Sequence, residues 1–276
     1  MTSLFKKTSH PVRDFLFFLL IIVFSIAVRH PLFSASSLIF ALFYNGVLKN
    51  WKAFKILTGL MPFFVVLSCL NPIVSHWGDT VLFSICGRPF TKEAFFYGLN
   101  MGLTFVVMIQ WFMAAGCVLT VEKFTYLFSP FFPAISLMMS MILRTIPLVF
   151  KRAKEIRQAR QALGIKRDIK EVNAVFASTL EDGVFTARTM EDRGFKNGKR
   201  TSFLKYSFGF WDFTMVLLGI ALCAFVIYGI HQEFFAVEFY PVIKAEKFWE
   251  NTKETGVFAA FCLFALLPSV ECLIRK

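Results

Sequence analysis

Unbroken apolar runs, not alternating apolar and polar positions, dominate the chain. The first covers residues 15–28, "FLFFLLIIVFSIAV", and the second 31–48, with Arg29-His30-Pro31 at the junction. Proline rarely continues a helix and favours its first turn, so this junction predicts a tight helical hairpin. Further runs cover 56–75, 94–119, 212–230 and 256–273. A helix needs ~20 residues to cross a hydrocarbon core of ~30 Å, so the first two runs are short for a span. The pattern predicts an all-α, polytopic membrane protein with about six transmembrane helices. Pro62 and Asn71-Pro72 in the third run predict a kink, with neighbouring helices satisfying the freed carbonyls.

The pattern changes between the fourth and fifth runs. Residues 133–146, "PAISLMMSMILRTI", are apolar apart from Arg144. This run is short for a span and predicts a helix at the membrane base or packed under the spans. From Pro147 a new helix is expected, "PLVFKRAKEIRQARQALG", with apolar residues at 149, 153, 156 and 163. Lys151, Arg152, Lys154, Arg157 and Arg160 fill much of its remaining surface, which makes it amphipathic and basic. Gly164 is placed to end it. A second helix is expected over 169–193, starting at Asp168, whose spacing to Glu171 is that of a capping box. Apolar residues at 169, 172, 175, 176, 180, 184 and 187 follow steps of three and four. Gly183 costs this helix ~1 kcal/mol against alanine, and Gly194 stops it. The chain thus divides into spans 1–4 over 1–119, a two-helix region over 120–205, and spans 5–6 over 206–276.

On the residues alone, the glycine-terminated ends admit two readings. Cations suit a helix C-terminus, so the ends satisfy ordinary capping chemistry. Alternatively, they are tips that dock another protein, where an arginine lodges in an acidic groove as a hydrogen-bonding fork.

Composition agrees with a membrane protein. Of the 276 residues 57% are AVILMFWYC, against ~45–50% in soluble domains. Mean hydropathy is +0.62. The net charge of +12 resides outside the apolar runs and therefore reads as topology, not nucleic-acid binding. Lys6, Lys7, Arg13, Lys49, Lys52, Lys55, Arg275 and Lys276 fall on one side in a six-span count. The positive-inside rule puts that side, with both termini, in the cytoplasm. The segment 120–205 falls there too, with 16 of the 30 Lys and Arg residues. The six cysteines show no CxxC spacing and read as small buried hydrophobes. No small-residue cleavage site follows the first run, so a removed signal peptide is not expected.

Several chemistries lack their motifs. No P-loop, HExxH or GxSxG occurs, and the four histidines are far apart. No catalytic residue, cofactor or metal ligand is expected in this chain. The spans hold almost no ionisable residues; Glu93, Asp212 and Glu271 sit at span ends. A stand-alone secondary transporter or channel is the alternative reading, and a proton-coupled carrier usually keeps charges near mid-membrane. A lipid-modifying enzyme would need an acid or histidine constellation at the bilayer surface. Asn100 and Gln110 inside the fourth span suit interhelical hydrogen bonding. Gly98 and Gly102, extended by Ala94, form a GxxxG pattern that faces either a neighbouring span or a partner subunit.

With these residues in place, a family resemblance emerges. "LRTIPLVFKRAKEIRQARQALG" and "ARTMEDRGF" resemble, in this order, the paired signatures of the transmembrane T component of energy-coupling factor transporters. Cobalt and nickel import permeases belong to the same family. The resemblance is clear over about 120–196, including Ser129-Pro130. It implies a non-catalytic subunit of an ATP-driven importer of a vitamin or metal ion. Such a subunit bridges two cytoplasmic ATPases, which bind the ATP, and a membrane-embedded substrate-binding S component. Two coupling helices would each dock an ATPase through an Ala-Arg-Gly-like tip. Arg193, flanked by Asp192 and Gly194, matches the second tip. The first tip departs from the pattern: Ala162, Leu163 and Gly164 align, and leucine stands where arginine is expected. This departure leads to the expectation that one ATPase is held by apolar packing of Leu163, helped by Arg160 one turn earlier.

Overall fold

The computed structural model describes residues 10–28, 30–74, 80–85, 88–165, 169–195, 206, 209–232 and 252–274. The described chain is helical apart from a short hairpin, as an all-α membrane protein should be. The elements are α1 (Pro11–Ala27), α2 (Pro31–Val47), α3 (Trp51–Val74), β1 (Val81–Ile85), β2 (Arg88–Thr91), α4 (Lys92–Val118), α5 (Val121–Phe128), α6 (Pro133–Ala162), α7 (Ile169–Asp192), α8 (Phe210–His231) and α9 (Thr252–Ile274). β1 and β2 pair antiparallel. The chain forms two compact units, residues 1–120 with 206–276, and residues 121–205.

The first unit holds α1–α4, α8 and α9. Pro11 and Pro31 occupy the first turns of α1 and α2, where a missing N–H costs nothing. His30 caps α2, its Nδ1 accepting from the Leu32 amide at 3.2 Å. The core is aromatic. Trp111, Tyr44, Phe18, Phe24, Phe33, Phe261 and Phe264 are buried together. Phe33 meets Phe258 edge-to-face at 5.0 Å, and Phe24 meets Phe264 in the same way at 5.9 Å. Such pairs add ~0.5–1.5 kcal/mol beyond their area. α9 is therefore an integral wall of this core.

Polar side chains inside the unit bridge helices. Gln110 is fully buried and donates to the Ala53 carbonyl at 3.2 Å, while Asn45 donates to the Gln110 carbonyl at 3.1 Å. Trp111 Nε1 donates to Ser37 Oγ at 3.0 Å. Of the described cysteines, Cys223 and Cys272 are buried, Cys117 and Cys262 intermediate and Cys69 exposed, and these five form no disulfide. Cys86 lies outside the described residues, as do Arg29 and Asp168 with its expected cap.

Two expectations change. Pro147 does not start a helix; it lies within the 30-residue α6, which runs unbroken from Pro133 to Ala162. A proline inside a helix loses one backbone bond and meets the preceding turn. Ending the helix would leave up to four carbonyls and four amides without partners. The second concerns which helices are long enough to span. Among the described residues, five helices are long and apolar enough to cross a membrane: α3, α4, α6, α8 and α9. α6 joins this set because its apolar first half belongs to one long helix. α1 and α2, with 17 residues each, fall short of it.

Gly98 and Gly102 face α3. A Cβ on Gly98 would lie 2.8 Å from Asn71 Cβ and 3.0 Å from the Ser68 carbonyl oxygen. Pro72 lies within α3 and has no N–H to offer that carbonyl, four residues earlier. Asn71 Nδ2 crosses to the Ala94 carbonyl at 2.7 Å. The small-residue stripe thus serves contact between α3 and α4. Gly98→Ala will destabilise the protein by ~1–3 kcal/mol, as overpacking against backbone does. Gly102→Ala will cost less, because its Cβ is tight only against the Phe64 ring, at 3.0 Å, and meets backbone no closer than the Phe64 carbonyl oxygen at 3.5 Å. Thermal unfolding in detergent checks the ranking, and equal losses would refute it.

Candidate functional site: two helix tips with one backbone

The second unit contains α5, α6 and α7. α6 and α7 cross where Arg152 Nη1 donates to the Ser178 carbonyl at 3.1 Å and forms an ion pair with Asp182. Val149, Ala153 and Ile156 of α6, with Val175, Ser178 and Thr179 of α7, are the half-buried residues around this crossing. A groove of about 580 Å³ runs beside it, lined among others by Ile142, Ile146, Phe150, Arg152 and Gly183.

The rest of the apolar stripe on α7 is uncovered within the unit. Ile169 is 76% exposed and Phe176 64%, and Val172, Leu180 and Val184 are also exposed. No described residue of α7 is buried. The helical periodicity is real, but the face it creates is not packed inside this chain's own unit. Ile135, Met138 and Ile142 on the first half of α6 are exposed in the same way.

The ends of α6 and α7 share one hydrogen-bond pattern. At the first, the Leu163 amide donates to the Ala159 carbonyl at 3.2 Å, Gly164 to Gln161 at 3.0 Å and Ile165 to Arg160 at 3.0 Å. At the second, Arg193 donates to Thr189 at 3.2 Å, Gly194 to Glu191 at 2.9 Å and Phe195 to Met190 at 3.0 Å. The last two bonds of each set define a Schellman motif, which needs a left-handed residue just past the cap. Gly164 has φ +70° and Gly194 φ +78°. Both glycines are thus required by backbone geometry.

Leu163 and Arg193 therefore hold equivalent cap positions, and Ala162 and Asp192 equivalent positions before them. All four are exposed, Leu163 by 74%. Arg160 is half-buried and is the equivalent of Met190, three residues before the cap. It flanks the first tip without occupying the position of Arg193.

Reading the sequence missed a third constellation. In the first unit, Arg13 Nη1 bonds to Asp212 Oδ1 at 2.5 Å and Glu271 Oε1 at 2.6 Å, and Nη2 bonds to Asp14 Oδ1 at 3.0 Å. All four side chains are buried. The cluster ties α1 to α8 and α9. The available signal was weak: isolated charges at the ends of three apolar runs, separated by 199 and 258 residues.

No match is found among curated proteins. A family profile described as cobalt transport protein, CbiQ, matches residues 8–203, which include both tips and α1–α7. The chain belongs to the CbiQ cobalt transport protein family, the family to which the T components of energy-coupling factor transporters belong.

Proposed function

We infer that this transport protein is the coupling subunit of an energy-coupling factor importer in the cell membrane, with both termini cytoplasmic. Its two tips dock two ATPase subunits, and a membrane-embedded S component captures the vitamin or metal ion. The observation that carries this reading is the pair of Schellman tips with one backbone geometry on the two crossing helices. A single capped end would be ordinary helix chemistry. Two equivalent exposed ends on helices of ~45 and ~36 Å suit paired docking onto two related proteins. ATP-driven movement of the ATPases then displaces the tips, and the rigid helices carry that displacement to the S component. The uncovered apolar faces of α6 and α7 supply a surface for that subunit, because large exposed apolar patches mark interaction sites.

The test is purification of the full chain in mild detergent followed by reconstitution. Two ATPase polypeptides and a small membrane protein should accompany it. Uptake into liposomes should require all of them and ATP. Uptake by the chain alone would refute the coupling role and favour a stand-alone secondary transporter or channel.

A further inference from the structure

Arg13, Asp212 and Glu271 stand at one end of the membrane unit, in the first turns of α1 and α8 and the last turn of α9. A crevice of about 110 Å³ adjoins this cluster. Its lining includes Arg13, Asp14 and Glu271 at one end and Leu20, Gly219 and Phe264 at the other. Each of these last three lies seven residues from the cluster residue of its own helix, so the crevice descends ~10 Å at ~1.5 Å per residue. The lining reaches the outer surface at Leu16 and Ile220, which are 45% and 64% exposed. Gly219 keeps the space open: a Cβ there would meet no neighbouring helix closer than Phe264 Cε2 at 4.0 Å. We propose that this crevice holds one acyl chain of a membrane phospholipid whose headgroup carries an ammonium group, such as phosphatidylethanolamine.

Depth, shape and charge select this occupant. Leu16 and Ile220 belong to the apolar runs, so hydrocarbon chains are the solvent at the open side. A closed apolar cavity of ~150 Å³ stays dry and takes up a benzene-sized guest. A crevice of similar size that opens to hydrocarbon therefore fills with chain methylenes, which restore the dispersion contacts its walls would otherwise lack. An apolar body with a few polar groups at one end is the usual form of a small-molecule site. The charged end lies at the ends of the three helices, the level of a headgroup when the chain lies along the crevice. Arg13 already donates to Asp14 and Glu271, and these two carboxylates outnumber it in the lining. Basic pockets bind anionic headgroups; this end has the opposite balance. An ammonium group supplies donors that carboxylates accept in charge-assisted bonds. A lipid whose only charge is its phosphate meets groups of its own sign instead.

The test uses the full chain, purified in mild detergent and given one equivalent of phosphatidylethanolamine or phosphatidylglycerol with a photoreactive diazirine in the acyl chain. Native mass spectrometry should find one phosphatidylethanolamine retained per chain, at least tenfold more than phosphatidylglycerol. Peptide mapping should place its label within 16–20, 215–220 and 264–268. Equal retention of the two lipids would overturn the headgroup assignment. Label spread evenly over exposed apolar positions, α3 included, would overturn the crevice itself. Gly219→Leu fills the space without touching a charge and should lower retention at least tenfold with no fall in unfolding temperature. If that variant unfolds early, Val216→Phe supplies the same reading from the next turn. Undiminished retention in the folded variant would place the lipid elsewhere. A last arm repeats the labelling on the complex with its co-purifying subunits. Label that persists there supports the lipid; label that disappears assigns the crevice to a partner subunit and overturns the proposal.

Discussion

Arg13→Met will cost the detergent-purified protein ~3–5 kcal/mol of stability, the usual result of removing one partner from a buried charge cluster. The substitution leaves Asp14, Asp212 and Glu271 buried without the guanidinium that bonds to all three. Methionine preserves much of the volume, so the loss reports charge and hydrogen bonding more than packing. Glu271→Gln will cost less, since Arg13 keeps its bonds to Asp14 and Asp212. A double-mutant cycle between positions 13 and 271 should show coupling within the ~0.5–3 kcal/mol seen for residues in one network. Unchanged thermal unfolding of Arg13→Met would mean that the cluster does not hold α1 to α8 and α9.

Arg193→Ala should behave in the opposite way. Arg193 is exposed in the chain by itself, and exposed substitutions usually alter stability by no more than ~0.5 kcal/mol. On the docking reading, its guanidinium becomes buried against an acidic socket in the assembled transporter. Truncating such a partner costs ~2–5 kcal/mol of binding, which corresponds to roughly 30-fold weaker retention or more. The expected result is normal unfolding of the isolated chain with loss of one ATPase and of ATP-driven uptake. Arg193→Lys should recover only part of the binding, because a lysine ammonium does not reproduce the planar fork. Normal uptake with Arg193→Ala would show that the tip arginine is not a docking residue.

These two arginines show what could be read from the chain and what could not. Arg193 was legible because its signals are local: a 3.6-residue apolar period, a glycine stop and a recognisable signature. The left-handed glycine confirms a backbone requirement that a sequence can encode within a few residues. Arg13 was legible only as a topology charge, since two of its three partners, Asp212 and Glu271, come from the other end of the chain. The same distinction explains the GxxxG stripe. Its presence was plain at Gly98 and Gly102, but its contact with Ser68 and Asn71 depended on which helix lay alongside.

The sequence by itself determined the apolar helices, the long amphipathic α7, the glycine stops and the family, because each rests on short-range periodicity or a contiguous motif. Tertiary structure decided the rest. It joined α6 through Pro147, made α9 a wall of the aromatic core and gathered four charges around Arg13. It also left the apolar face of α7 uncovered in its own unit. Periodicity states that a face is apolar; only packing states what covers it. Leu163 was visible as a departure from a motif, but the matching hydrogen bonds made it the positional equivalent of Arg193.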